Sequence, residues 1–117
     1  MNFTIKPNIY PFTFVVSWDE SITKLNKYLK PWNCVIEDGE DQNFTITFED
    51  ECLIVIRLEK APVTIEDYGT LAHEIFHGVY SGMVLVGITL SRTSEEAFAY
   101  LTSFLTEQIY KRLNLKN

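Results

Sequence analysis

The sequence predicts an α+β domain with strands first and helices last, on three observations. Residues 10–17 (YPFTFVVS) are crowded with β-branched and aromatic side chains, as a strand is. Phe44–Phe48 alternates apolar residues with threonines and residues 52–58 are strongly apolar, so the two read as a hairpin across the polar turn Glu49, Asp50, Glu51. Beyond Thr64, apolar residues recur at helical spacing in two long stretches on either side of MVLVGITL. The expected architecture is a small sheet of about three strands, a helix after the first strand, and two long C-terminal helices. At 117 residues the chain has room for one core, so residues 1–117 form one domain.

Between the first strand and the hairpin, residues 19–29 place Ile22, Leu25, Tyr28 and Leu29 at helical spacing, and Pro31 stops that helix. Thr64 is an N-cap candidate, with Glu66 and Asp67 in the first turn where the helix dipole favours acids. Ile65, Tyr68, Ala72, Ile75 and Val79 mark one face of a helix running to about Tyr80, with Gly82 at the expected stop. Gly69 inside it costs about 1 kcal/mol against alanine, which tertiary packing has to offset. Residues 81–93 are an apolar connection suited to a short strand or a pocket wall. The last helix begins near Ser94, with Phe98, Leu101, Leu105 and Ile109 as its apolar stripe and Lys111 and Arg112 at its end.

Composition narrows the partners. A net charge of −6 with no basic cluster argues against nucleic acid. No stretch approaches the roughly 18 apolar residues that span a bilayer, and residues 1–10 carry no signal-peptide pattern, so the chain reads as soluble and cytoplasmic. Cys34 and Cys52 form no C-x-x-C pair. They read as buried thiols in a reducing compartment, with a disulfide between them as the alternative. The acidic run Glu37, Asp38, Glu40, Asp41 lacks the order of a calcium loop and reads as a solvated turn.

The chemistry lies in His73-Glu74-Ile75-Phe76-His77, an H-E-x-x-H inside a predicted helix. Residues four apart on a helix stand one above the other, so both imidazoles can reach one Zn2+. Glu74 lies about 100° further round, beside the metal rather than on it, where a general base belongs. The only two histidines fall four apart, with glutamate directly after the first, in about one arrangement in 600. The structural alternative is a pair of imidazoles satisfied by hydrogen bonds. A catalytic zinc needs a third protein ligand. With no third histidine in the chain, it has to be a carboxylate or a cysteine, and the last helix opens with Glu95 and Glu96. Those two differ by about 100°, so only one can face a metal. Glu96 has a competing use, since Thr93 and Glu96 fit a capping box.

H-E-x-x-H followed by eighteen residues and glutamate resembles the aminopeptidase branch of the gluzincins, and Glu96-Ala97-Phe98-Ala99-Tyr100 is similar to their glutamate helix. The whole chain looks like the small metallopeptidases encoded in bacteriophage genomes, most specifically over residues 64–110. The resemblance implies a minimal zincin-like fold and zinc-dependent hydrolysis of a peptide or protein substrate, in the host cytoplasm if the chain is phage-encoded. It implies His73, His77 and Glu96 as ligands, Glu74 as general base, and Tyr100 or Tyr80 as an oxyanion donor. It also suggests residues 52–58 as an edge strand for an extended peptide. No glycine-rich exopeptidase motif precedes His73, which leaves endo- and exopeptidase action both open. The alternative function is a non-catalytic, zinc-stabilised protein that binds a host or partner factor.

Overall fold

The computed structural model describes residues 1–114. Four strands, not three, form one mixed sheet: β1 (Asn2–Ile5), β2 (Thr13–Ser17), β3 (Phe44–Phe48) and β4 (Leu53–Arg57), in the order β1-β2-β4-β3. β1 pairs antiparallel with β2 and β3 antiparallel with β4, while β2 and β4 run parallel, Val15 opposite Val55. The sequence reading missed β1 because only Phe3 and Ile5 are apolar in so short a stretch. The predicted helix α1 (Ile22–Leu29) follows β2, and the β3–β4 hairpin forms as expected. Residues 52–58 are not an edge: β4 lies between β2 and β3, and the open edges are β1 and β3.

Period-two alternation divides the side chains into two cores. Phe14, Val16, Ile54 and Ile56 face helices α2 (Ile65–Leu85) and α3 (Glu95–Arg112). Val15, Leu53 and Val55 face α1, joined by Cys34, Ile36 and the β3 residues Phe44, Ile46 and Phe48. On the edge strand this alternation turns Thr45 and Thr47 towards the α2 side. Cys34 is buried and Cys52 exposed, and both are free thiols, so only one of them is a buried thiol and no disulfide links them.

Helix α2 runs five residues beyond the predicted end at Tyr80. Gly82 is no stop: a Cβ there would lie 2.7 Å from the Phe12 ring, so glycine lets the helix approach the sheet closely. Gly78 does the same against Ile56, at 2.8 Å. Beyond the last helical residue, Leu85, and the cap at Val86, Gly87 with its φ of 76° closes a Schellman turn. There Ile88 N–H donates to Met83 O (2.9 Å) and Gly87 N–H to Val84 O (3.0 Å). The connection after it therefore holds no strand. Ile65, expected on the apolar face, is 92% exposed, and the buried stripe is Leu71, Ile75, Val79 and Met83 with the two glycines and Glu74. On α3 the buried residues are Phe98, Leu101, Leu105 and Ile109, as the spacing predicts. Ser94, not Thr93, caps α3 and makes no side-chain cap bond, so the Thr93–Glu96 capping box does not form.

Arg57 anchors the entry to the edge strand. Its buried guanidinium donates to the carbonyls of Gly39 (2.9 Å), Gln42 (2.6 Å) and Glu20 (3.0 Å), tying the acidic turn to the start of α1. Glu40 accepts from Ile22 N–H at 3.0 Å, so part of this turn serves as a helix contact rather than as free acid.

Candidate metal centre

Helix α2 is started firmly. Thr64 Oγ1 accepts from Asp67 N–H, and Asp67 accepts in return from the N–H groups of Thr64 and Val63, each at 3.0–3.1 Å. Those backbone donors hold the Asp67 carboxyl below its ordinary range. Two turns on, His73 and His77 project from the exposed side of the helix. Their Nε2 atoms stand 3.1 Å apart, with ring centroids 4.7 Å apart. Two nitrogens about 2.0–2.1 Å from one tetrahedral zinc stand roughly 3.3 Å apart, so the pair fits a shared metal with little adjustment. The same separation also suits an N–H···N hydrogen bond between neutral rings.

Glu74 points the other way, inward towards β3, and is 6% exposed. Thr45 Oγ1 donates to Glu74 Oε1 at 2.8 Å and approaches its backbone carbonyl at 3.2 Å. Glu74 also lines a shallow hollow with His73, Asn43, Glu66, Gly69 and Thr70. A Cβ on Gly69 would meet nothing within 4 Å, so no packing holds that glycine, contrary to expectation, and its missing side chain leaves the hollow open.

The remaining expected site residues lie elsewhere. Among the described residues no three His, Cys, Asp or Glu side chains are gathered closely enough to hold a metal ion. Tyr68 and Tyr110 meet edge to face at 5.9 Å, which pairs the start of α2 with the end of α3 in an antiparallel hairpin. Equal steps from that contact put Glu96 level with Gly82, about 7.5 Å along the axis beyond His77. Glu96 instead lines a second hollow with Tyr100 and the β1–β2 turn. Tyr80 lies on the outward side of α2, stacked on Phe76 at 6.2 Å, which itself stands 6.0 Å from the His77 ring. Of the two tyrosines it is the one in the histidines' neighbourhood.

Two contributors escaped the sequence reading: Thr45 and Asn43. The signal for Thr45 was present in the alternation of β3, which puts it opposite the aromatic face; what could not be read was that α2 would lie over that edge. No family model, curated protein or solved structure matches the chain, and no described helix is long and apolar enough to cross a membrane.

Proposed function

We propose that His73 and His77 bind one zinc ion and that the chain hydrolyses peptide bonds in the manner of a minimal gluzincin-like metallopeptidase. The observation that carries this reading is the disposition of three residues within five positions of one helix: two imidazole nitrogens 3.1 Å apart, and between them in sequence a carboxylate held by the edge strand. Zinc there would supply Lewis acidity to a carbonyl and acidify water. The chain's own residues do the rest. Thr45 fixes one oxygen of Glu74, leaving Oε2 to accept a proton from water and return it to the leaving amine. The open side of β3 offers backbone donors and acceptors to an extended peptide alongside that carboxylate.

Glu96 completes the ligand set in this reading, and only if metal draws the first turn of α3 towards the histidines. Zinc titration of Glu96→Ala and Glu95→Ala tests that step. The expected result is at least tenfold weaker binding for Glu96→Ala and less than a twofold change for Glu95→Ala. Glu74→Gln, with zinc content unchanged, should cleave peptides about 10²–10⁴-fold more slowly.

A second reading, a non-catalytic zinc-stabilised protein acting on a partner, is favoured by the burial of Glu74 and by the placement of Glu96. It predicts wild-type zinc affinity in both glutamate variants and no cleavage across a diverse peptide library.

A further inference from the structure

Helix α3 and the β1–β2 turn border an open hollow of ≈ 640 Å³ apart from the histidines, within the size range of small-molecule sites. Ile9, Tyr10, Tyr100, Leu101 and Phe104 line it, and Glu96 is its one carboxylate. No lysine, arginine or histidine is among the lining residues. The two ion pairs among the described residues join Glu20 to Met1 and to Lys24, so Glu96 has no counter-charge within them.

One side of the hollow is built into the fold, while Ile9 and Tyr100 stand exposed at its rim. Tyr10 stacks flat on Phe12, with centroids 5.3 Å apart, and Phe12 packs against Gly82 of α2. Tyr10 N–H donates to Pro7 O at 3.1 Å, and Pro7 and Leu101 are buried. That packed side costs little ordering on binding.

An apolar lining with three aromatic residues, Tyr10, Tyr100 and Phe104, and one exposed carboxylate, Glu96, selects a particular chemistry. A cation gains Coulomb attraction from Glu96 and from ring faces, while its apolar body covers Ile9, Leu101 and Phe104. An anion meets Glu96 and a chain of net charge −6, and a neutral ligand gains nothing from the charge of Glu96. We infer that this hollow binds a small organic ammonium ion carrying an aromatic or branched apolar body, with Glu96 holding the charge.

The test uses chelator-treated protein, so it does not depend on the zinc reading. Phenethylamine, 2-phenylethanol and 3-phenylpropanoate are each titrated while backbone amide resonances are followed. The amine is expected to bind at least fivefold more tightly than the alcohol, with the carboxylate weakest and the largest shifts at Ile9, Tyr10, Ala97 and Tyr100. Glu96→Gln, an exposed change, should abolish the amine's advantage and leave the alcohol's affinity unchanged. Tyr100→Ala should weaken the amine and the alcohol alike. The inference is overturned if the amine binds no better than the alcohol, keeps its advantage in Glu96→Gln, shifts residues outside the hollow, or fails to bind at 10 mM, taken as roughly the weak limit for a fragment of this size.

Discussion

The hydroxyl of Thr45 reaches both the side-chain Oε1 (2.8 Å) and the backbone carbonyl (3.2 Å) of Glu74, pinning α2 to the sheet edge at the residue after His73. A buried carboxylate that loses such a donor keeps its desolvation cost without compensation.

Thr45→Val should therefore destabilise the fold by about 1–3 kcal/mol, whereas Thr45→Ser, which keeps the hydroxyl, should cost less than about 1 kcal/mol. Urea denaturation of the two variants measures the difference. Equal stability in both would mean that the contact contributes nothing.

His73→Ala and His77→Ala are each expected to abolish stoichiometric zinc binding. Because both rings are exposed, the metal-free stability of either variant should change by no more than about 0.5 kcal/mol. Metal analysis after gel filtration, beside a metal-free melt, separates the two effects. Full zinc retention by both variants would end the metal-centre reading.

Glycines of one helix should respond in opposite ways. Gly69→Ala meets open space and should stabilise by about 0.5–1 kcal/mol through helix propensity. Gly82→Ala drives a methyl to within 2.7 Å of Phe12 and should destabilise by about 1–3 kcal/mol of overpacking, less that same propensity gain. Thermal unfolding of the pair checks the sign of each.

Asp67 gives the capping box a pH dependence. Its carboxyl is held below its ordinary value by the Thr64 and Val63 N–H groups, so the folded state favours the ionised form. That contribution is fully present above the unfolded carboxyl's pKa of about 3.9 and fades as pH falls through the lower folded value. Asp67→Asn should flatten the acid limb of the stability profile, and an unchanged limb would show that the cap does not titrate with folding.

The sequence was most legible where periodicity acts alone. The stripe Phe98, Leu101, Leu105, Ile109 and the Thr64 cap needed no tertiary knowledge, and neither did the stacking of His73 over His77. Its failures arose where a second element decides. Gly82 reads as a stop until Phe12 is known to lie beneath it, and Ile65 reads as core until the helix is seen to start beyond the sheet. Glu96 is the same kind of case. Eighteen intervening residues fix a contour length, but the register of α2 against α3, marked by Tyr68 and Tyr110, decides where its carboxylate arrives.

The parallel seam between β2 and β4 governs how such a chain would assemble. Each antiparallel hairpin joins near neighbours in sequence, Ile5 with Phe14 and Phe48 with Leu53, but the seam joins Val15 to Val55. Closing that longer loop is the entropically dear step and is expected to be late in folding. Helix α2 lies across the seam, with Gly78 against Phe14 of β2 and Ile56 of β4. The two imidazoles belong to one helix and come together whenever it forms. The grip of Thr45 on Glu74 exists only after α2 has docked on the sheet, so the kinetics of Thr45→Val would report the docking step, with unfolding accelerated and refolding nearly unchanged.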